Sequence, residues 1–460
     1  MSYTDNRRRL LASLARERAA AVLFSGTPPV RNHDAHYAFR PHSDFWYLTG
    51  FGEEDCALVL LPEVDAAKSK GKPAANGAKS HEPPQRGAVL FLRERDPEME
   101  TWNGRRLGVE NAVEKLGVDA AYPIDELWER LPQLLKNYER VMALTGVDTD
   151  SDRDLLDVLR TLRLQARRGV LPPTQLLDPM PLLHEQRLFK TPFELERMQK
   201  AADITREAHL ELMRHAAPGV MEYELDALLD YTFRRRGGNG PAYNNIVAGG
   251  VNATILHYTE NNTKLRDGDL LLVDAGCEYE YYACDVTRTY PVNGRFSREQ
   301  RELYDVVLAA QLAGIDAVKP GAPVKGMHEV ALRMLCEGLL KLGLLKGGVD
   351  EVIESGAYRR FYMHGTGHWL GLDVHDCGTY AKDGSDTRPF EPGMITTVEP
   401  GLYVAPDDDT VEARWRGIGI RIEDDALVTA SGNRILTDGI PKHVDEVEAA
   451  CAGRELSAAR

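Results

Sequence analysis

The N-terminal third of the chain alternates short apolar runs with amphipathic segments. The apolar runs predict β-strands at residues 19–24, 45–48, 57–61, 88–92 and 141–144. Helical spacing of apolar residues predicts a helix at 6–18, with Leu10, Leu11 and Leu14 on one side, and further helices near 125–137 and 151–166. Strands that alternate with helices in this way predict an α/β domain with its own sheet.

Two stretches interrupt this pattern. Residues 65–87 are rich in Gly, Pro, Lys and Ala and contain almost no large apolar side chain, which predicts a surface insertion with little fixed structure. A basic binding loop is the alternative interpretation of the same residues. Residues 168–180 are rich in proline and break the periodicity, which predicts a domain boundary. The chain is therefore expected to form one domain at 1–177 and another at 178–460.

The second domain carries two helix-start signals. Thr191 is followed by proline and then by Glu194, a pattern typical of a helix capping box. Ser297 and Gln300 repeat the pattern about a hundred residues later. Each start leads to a Pro-Gly pair, a second predicted helix (222–236 or 326–342) and an apolar segment that reaches histidines. This order predicts a duplicated α-α-β unit; the alternative is a coincidence of common Pro-Gly turns.

Two apolar runs in the first half of this domain each end at an aspartate. Residues 270–273 run into Asp274, residues 281–284 run into Asp285, and Gly276 separates the two runs. We expect two paired strands that bring both carboxylates to one face. Because buried carboxylates repel each other and lose hydration, such a pair stays ionised only beside cations. The alternative is one turn aspartate with satisfied hydrogen bonds and one salt-bridged aspartate.

Further candidate ligands follow downstream. The segment 363–376 (MHGTGHWLGLDVHD) holds three histidines, an apolar run ends at Glu399, and the strand-like 417–424 (GIGIRIED) places Gly419, Arg421 and Glu423 on one face. Four carboxylates and one imidazole form a hard ligand set, and its four negative charges match two divalent ions. Such a set favours Mn²⁺ and tolerates Co²⁺, Fe²⁺ or Zn²⁺. Two bridged metal ions would also hold a water as hydroxide.

Composition narrows the function classes. A length of 460 residues predicts two or three domains, and a formal net charge of −15 argues against nucleic acid or an anionic membrane as a partner. Six cysteines without a CxxC pair are typical of reduced thiols in an intracellular protein. The first strong apolar run, 19–24, is too short for a signal sequence or a membrane span, so we expect a cytoplasmic protein.

These segments together resemble a known family. HGTGHWLGLDVHD, TVEPGLY, GIRIED and VDAGCEYEYYACDVTRTYPVNG resemble the pita-bread metallopeptidases, and within them the Xaa-Pro aminopeptidases (aminopeptidase P). The N-terminal FRPHSDFWYLTGF (39–51) and TWNGRRLG (101–108) resemble the same family, so the likeness spans nearly the whole chain. It implies an α+β chain, in which an N-terminal α/β domain with a mixed sheet precedes a pita-bread catalytic domain. The stretches 65–87 and 379–390 depart from the family pattern.

The resemblance also assigns the candidate site. It implies two metal ions, bridged by Asp285 and Glu423, with five protein ligands: Asp274, Asp285, His368, Glu399 and Glu423. The implied substrate is a peptide with proline in second position. The bridging hydroxide would attack the carbonyl carbon of the first residue of this peptide, and Glu399 would carry a proton toward the proline nitrogen. By the same resemblance His257 and His375 would stabilise the oxyanion or tetrahedral intermediate. Each histidine taken alone is more often structural.

The remaining candidates concern substrate binding. His364, Tyr403 and Arg421 would surround the proline ring, and Arg421, two residues before Glu423 on one strand face, is expected to orient that carboxylate. Trp102 and Asp44 belong to the other domain, where they are either core and turn residues or substrate contacts. The resemblance implies the second: a neighbouring subunit would bring Trp102 to the active-site mouth in a homodimer or homotetramer.

Four functions compete at this point. The first is an aminopeptidase that releases the first residue from peptides with proline in second position. The second is a prolidase, restricted to Xaa-Pro dipeptides. The third is a metal-free hydrolase of the creatinase type, and the fourth is a non-catalytic pita-bread binding module. The complete ligand set argues against the last two, and the segments WNGRRLG and FRPHSDFWYLTGF favour the aminopeptidase over the prolidase.

Overall fold

The chain forms two compact units in the computed structural model. The structure describes residues 2–63 and 86–453, and residues 65–85 of the predicted insertion lie outside that part. The units comprise Met1–Gln186 and Arg187–Arg460. Among the described residues, no helix has both the length and the apolar character needed to cross a membrane.

The N-terminal unit is built on a six-stranded mixed sheet, as the sequence predicts. Its strands follow the spatial order β6-β5-β4-β1-β7-β8, with β4 antiparallel to both β1 and β5 and the outer pairs parallel. The strands of this unit are β1 Ala19–Phe24, β2 Val30–Asn32, β3 Ala35–His36, β4 Ala57–Leu61, β5 Gly87–Leu92, β6 Ala120–Pro123, β7 Arg140–Ala143 and β8 Gln175–Leu177. Its helices are α1 Tyr3–Glu17, α2 Ser43–Thr49, α3 Pro97–Asn103, α4 Val109–Leu116, α5 Leu127–Leu135 and α6 Thr149–Leu164, and α7 Met180–Leu188 follows.

The predicted strand at 45–48 is wrong, because this segment belongs to helix α2. The His42 side chain accepts a hydrogen bond from the Asp44 N–H at the start of the helix, and Gly50 ends it in a left-handed conformation. Phe45 and Leu48 are spaced for one helix face and are fully buried. A run of four apolar residues is compatible with either a buried helix turn or a strand. Here the caps at both ends of the segment favour the helix.

The C-terminal unit repeats one arrangement of elements. In the first half, helices α8 Pro192–His215 and α9 Glu222–Arg235 precede a three-stranded antiparallel sheet, β10-β11-β14. In the second half, α10 Arg298–Ala317 and α11 Val324–Lys341 precede a second three-stranded sheet, β15-β18-β19. The two halves therefore share the order helix, helix, sheet, which is the order that the duplicated-unit prediction requires.

The strands and the remaining helices complete this unit. The strands are β9 Gly240–Pro241, β10 Ile246–Gly249, β11 Leu270–Asp274, β12 Cys277–Tyr279, β13 Tyr282–Ala283, β14 Thr287–Pro291, β15 Ile395–Val398, β16 Gly401–Tyr403, β17 Gly419–Arg421, β18 Asp424–Val428 and β19 Asn433–Ile435. The shorter helices are α12 Val349–Ser355 and α13 Val444–Cys451. An apolar core in which α10 and α11 pack together supports β16 and β17, so the strand ends that carry acidic residues rest on a rigid base.

Both predicted capping boxes are confirmed. Thr191 Oγ1 accepts from the Glu194 N–H, and the Glu194 carboxylate accepts from the Thr191 N–H in return. Ser297 and Gln300 make the same reciprocal pair at the start of α10. Each box satisfies backbone donors that the first helical turn leaves without a partner.

We predict that Thr191→Ala and Ser297→Ala each lower the free energy of unfolding by about 1 kcal/mol, the usual value of a lost N-cap. Urea unfolding at equilibrium measures the change. Thr161→Ala is the matched control, because Thr161 is exposed within helix α6, where alanine is favoured. A control variant as destabilised as the two cap variants would contradict the role given to the caps.

Candidate metal centre

The two aspartates approach each other through a pairing that differs from the predicted one. Strand β11 pairs with β14, which places Asp274 opposite Thr287, and the short strands β12 and β13 form a separate hairpin between them. Asp285 lies after this hairpin, just before β14 begins. Gly276 permits the close return of the chain, because a Cβ there would stand 1.7 Å from the Cys284 carbonyl oxygen.

Tyr243 joins the two carboxylates directly. Its hydroxyl oxygen is 2.6 Å from Asp274 Oδ1 and 2.5 Å from Asp285 Oδ1. One hydroxyl carries one proton, so it donates to one carboxylate at a time. The expected meeting of Asp274 and Asp285 on one face is thus confirmed, with a phenol between them that the sequence analysis missed.

His368 and Glu399 come from the second half of the unit. Thr397 holds both: its hydroxyl accepts from the His368 N–H at 3.0 Å and lies 3.5 Å from Glu399 Oε1. The Glu399 N–H donates to the Thr366 carbonyl, which fixes the residue after strand β15. His368 Nε2 lies 3.3 Å from Asp285 Oδ2 and 3.7 Å from Glu399 Oε1. The imidazole therefore faces carboxylates from both halves.

Glu423 is held against the first half of the unit. Its N–H donates to the Thr287 carbonyl, and the Thr287 hydroxyl donates to Glu423 Oε2 at 2.7 Å. Arg421 lies beside them, but its guanidinium pairs with Asp274 Oδ2 at 2.7 Å and reaches Glu423 only through the Thr287 hydroxyl. Arg421 thus pairs directly with Asp274, which its position in the sequence did not suggest, and contacts Glu423 through Thr287.

Burial makes this concentration of carboxylates costly. It raises the pKa of Asp274, against the opposing charge of Arg421, and it raises the pKa of Glu423 well above the usual range. Burial also raises the pKa of Glu399 to about 7, with the charge of Asp285 adding to the effect. Burial works against protonation of His368, yet the hydrogen bond and charge of Asp285 outweigh it and raise that pKa to about 9. The site attracts positive charge.

These residues fit a divalent metal ion. Asp285, His368 and Glu423 each offer one ligand atom, and the three atoms lie within 4.8 Å of one another. Asp274 and Glu399 line the same cavity. Oxygen donors supplemented by one imidazole suit Mn²⁺ and related hard or borderline dications. A bound dication would compete with the proton for His368 and offset the repulsion among the carboxylates.

The cavity around these ligands has a volume of about 530 Å³ and also contains the other predicted histidines, His257, His364 and His375. The rings of His368 and His375 lie edge to face with their centroids 4.3 Å apart. Burial lowers the pKa of His375, and the charge of His368 lowers it further. A neutral His375 keeps one N–H donor for a developing negative charge.

His364 and Tyr403 form a second group at the cavity. His364 Nε2 and the Tyr403 hydroxyl are 3.0 Å apart, and Arg421 Nη1 donates to the same hydroxyl at 2.9 Å. Burial lowers the pKa of His364 to about 4, helped by the nearby charge of Arg421. Burial raises the pKa of Tyr403 to about 12. Both side chains are therefore neutral near pH 7; His364 lines the cavity, whereas Tyr403 is buried.

Trp102 and Asp44 lie in the N-terminal unit. The Trp102 side chain on helix α3 is 78% exposed, and Asp44 at the start of α2 is 2% exposed. His184 Nε2 is 3.0 Å from Asp44 Oδ2, so this carboxylate has a partner within its own unit. The exposure of Trp102 excludes a core role for it, whereas Asp44 is buried in the first turn of helix α2.

Tyr243 and Thr287 are the residues near the ligands that sequence reasoning missed. Tyr243 lies in PAYNN, which has no apolar periodicity and no spacing to a recognised ligand. Thr287 had a weak signal, because period-2 alternation places it on the same side of the chain as Asp285. Neither residue type is a usual metal ligand, so a search for carboxylates and histidines passes over both.

Comparison with known proteins agrees with this geometry. The model of metallopeptidase family M24 matches residues 196–430, and the model of the aminopeptidase P N-terminal domain matches residues 3–142. The Xaa-Pro aminopeptidase of Haemophilus influenzae is 45% identical over 446 residues, which cover 97% of this chain and 96% of the relative.

Solved structures give the same result. The aminopeptidase PepP of Pseudomonas aeruginosa superimposes with a TM-score of 0.90 at 45% identity, covering 98% of this chain and 97% of that one. A zinc-substituted aminopeptidase P of Escherichia coli, in complex with product, has the same TM-score at 42% identity and covers 99% of this chain and 100% of that one. The predicted fold, an N-terminal α/β domain followed by a pita-bread domain, is confirmed. The chain belongs to the aminopeptidase P enzymes of metallopeptidase family M24.

Proposed function

We propose that this protein hydrolyses the bond between the first residue of a peptide and a proline in second position, releasing the first residue. The observation that carries this proposal is the convergence of four carboxylates and His368 with three further histidines in one cavity. An Xaa-Pro bond is a tertiary amide without an N–H, so strand-like recognition of the substrate loses a donor there. A site for such substrates must instead recognise the proline ring and the free amine of the first residue.

We propose that Asp274, Asp285, His368, Glu399 and Glu423 would hold two divalent ions, with Mn²⁺ as the favoured metal. When bound, the metal ions supply an activated water and polarise the carbonyl of the first residue. The chain's own contribution is to hold these side chains rigidly, through Tyr243, Thr287, Thr397 and Arg421.

Glu399 is the proposed proton carrier. Its carboxylate lies at the cavity wall among the other candidate ligands, and a carboxylate can both accept and return a proton. Protonation of the proline nitrogen is required because an amine anion is a poor leaving group. His364 Nδ1 lies 3.6 Å from Glu399 Oε2 at the same wall.

His257 and His375 are the proposed donors to the negative oxygen that develops on the carbonyl. Both line the cavity beside the ligands. His364, Tyr403 and Arg421 stay the proposed proline pocket: His364 and Arg421 line the cavity, and the buried Tyr403 contacts both through its hydroxyl. The neutral ring of His364 offers the proline ring a face that needs no donor.

Trp102 and Asp44 stay proposals for substrate binding. The exposed indole of Trp102 is available to a neighbouring subunit, and we propose a homodimer or homotetramer in which it covers the active-site mouth of another copy. Asp44 stays a proposed substrate contact, and its carboxylate is paired with His184 within the same unit.

An aminopeptidase is favoured over a prolidase by the segment 379–390. A prolidase needs a cation for the proline carboxylate, and the candidates in this segment are Lys382 and Arg388. Arg388 is fully buried and pairs with Glu391 at 3.2 Å. Lys382 lies 3.9 Å from the same carboxylate. Both cations are thus engaged with Glu391, which favours a cleft that accepts a continuing peptide.

We predict that exhaustive chelation abolishes hydrolysis and that Mn²⁺ restores it, because the ligand set is dominated by carboxylates. Asp285→Asn and Glu423→Gln should each hold fewer than two metal ions per chain by elemental analysis. Asp350→Asn is the control, since its carboxylate is exposed on helix α12. Full activity in a metal-stripped sample would contradict the proposed chemistry.

We predict that His375→Ala lowers kcat by roughly 10²-fold or more, the effect of losing one oxyanion donor, while metal content stays near that of the wild type. Steady-state kinetics on a tripeptide and elemental analysis measure the two quantities. His215→Ala is the control, because His215 lies exposed at the end of helix α8. Parallel loss of metal would instead make His375 a ligand or a support for one.

We predict that Xaa-Pro-Yaa tripeptides are cleaved with higher kcat/KM than Xaa-Pro dipeptides, and that longer peptides lose little. Alanine in place of the proline should remove most of the rate, since the ring fills the pocket at His364 and Tyr403. Competition assays with matched peptides measure these ratios. Turnover of dipeptides alone, abolished by a C-terminal amide on the proline, would identify a prolidase.

A further inference from the structure

The His375 ring lacks a hydrogen bond of its own within the described part of the chain. It is exposed to the cavity, and its described neighbour is the ring of His368. An imidazole on a loop samples several orientations unless its backbone is fixed. A donor to a developing charge must stand within a few tenths of an ångström of its working position. The stability of the loop that carries His375 therefore matters for its proposed role.

That loop, residues 370–376, is folded tightly on itself. The Asp376 N–H donates to the Trp369 carbonyl at 2.9 Å, and the Gly371 N–H donates to the Asp373 carbonyl at 3.1 Å. The Gly371 carbonyl accepts from the Ala283 N–H, which ties the loop to strand β13. The backbone on both sides of His375 is thus closed into one compact turn.

A buried ion cluster clamps this turn from the side. Arg187 Nη2 is 2.6 Å from Asp376 Oδ1, and Lys190 Nζ is 2.9 Å from Asp376 Oδ2. The same guanidinium nitrogen is 2.8 Å from Asp373 Oδ2. Arg187, Lys190 and Asp376 each have side chains at most 3% exposed. Two cations facing two carboxylates balance in charge, and Arg187 contacts the turn on both sides of His375.

The surrounding backbone is shaped to admit this cluster. A Cβ on Gly371 would stand 2.1 Å from Asp376 Oδ2 and 3.0 Å from Lys190 Cε, so a side chain there would displace the ion pair. Burial works against ionisation of Asp376, but Lys190 and Arg187 outweigh it and hold its pKa below the usual value. Asp376 is therefore a charged group with both oxygens engaged.

Stability alone is a poor explanation for such a cluster. Buried ion pairs often stabilise a protein no better than well-packed apolar side chains of the same volume, because their desolvation offsets their attraction. Charged pairs do fix geometry, since each hydrogen bond has a narrow range of distance and direction. The residue directly before Asp376 is the proposed oxyanion donor.

We propose that Asp376, clamped by Arg187 and Lys190, is a positioning residue that fixes the turn 371–376 and thereby sets where the His375 imidazole stands in the catalytic cavity. This inference rests on the proposed function of His375. It assigns to Asp376 no contact with substrate or metal. Its effect on catalysis should pass through His375 and vanish when that imidazole is removed.

The test is a double-mutant cycle in the full-length, Mn²⁺-loaded protein. The variants are Asp376→Asn, His375→Ala and the two combined, assayed on one Xaa-Pro-Yaa tripeptide. Asp376→Asn should lower kcat by about tenfold or more with KM changed by less than about threefold, since positioning acts on the transition state. In the His375→Ala background the same change should alter kcat by less than about twofold.

Two further variants separate positioning from general stability. Ser297→Ala is the control, because Ser297 caps helix α10 through Gln300 and has no described contact with the Asp376 cluster. Its thermal midpoint should fall without a fall in kcat. Lys190→Met removes one cation and leaves the pair of Arg187 with Asp376; it should lower kcat in the same direction as Asp376→Asn. If Asp376→Asn does not fold, Lys190→Met is scored in both backgrounds by the same criterion.

The outcomes are distinguishable. An equal loss of kcat from Asp376→Asn in both backgrounds, or wild-type kcat in Asp376→Asn, overturns the positioning role alone. Loss of metal from Asp376→Asn, measured by elemental analysis, also overturns it, because the residue would then support the metal centre. Wild-type kcat in His375→Ala overturns the proposed role of His375 and this inference with it. Absence of tripeptide cleavage by the wild type contradicts the proposed function itself.

Discussion

The crowding of four carboxylates in one buried cavity is the constraint on which the rest of the site depends. Burial and mutual repulsion raise the pKa values of Asp274, Glu399 and Glu423, so the ionised forms need positive charge close by. The chain itself supplies Arg421 against Asp274 and the imidazole of His368 between Asp285 and Glu399. Divalent metal ions supply the remainder, which explains why an otherwise unfavourable cluster is compatible with a stable fold.

The architecture meets this constraint by bringing strand ends from two similar halves to one place. Neither half contains the complete set of ligands, because the two aspartates belong to the first half and His368, Glu399 and Glu423 belong to the second. Backbone hydrogen bonds connect them: the Glu423 N–H donates to the Thr287 carbonyl across the interface between the halves. Asp274 ends strand β11, and the other three carboxylates lie within two residues of a strand. Side chains held by rigid elements move little, so rearrangement does not relieve the repulsion among them.

Polar residues next to the candidate ligands hold these side chains in fixed orientations. Tyr243, Thr287 and Thr397 each contact two groups of the site, so one displaced ligand affects another. His364 lines the cavity as a neutral ring, and the buried, neutral Tyr403 contacts it at 3.0 Å. The ion pairs of Asp376 with Arg187 and Lys190 hold the loop of His375 in a similar way. These charged groups are proposed to fix the position of a catalytic side chain without contacting the substrate.

Local periodicity and distinctive motifs predicted most elements, both capping boxes, the residue types of the candidate ligands and the family. The tertiary structure decided which groups meet. Only the register of β11 with β14 sets Asp274 opposite Thr287, and only the fold pairs Arg421 directly with Asp274. The segment 45–48 became helix because caps at its ends outweighed its apolar composition. Contacts such as those of Tyr243 join residues far apart in the chain, and no local pattern encodes a distance between them.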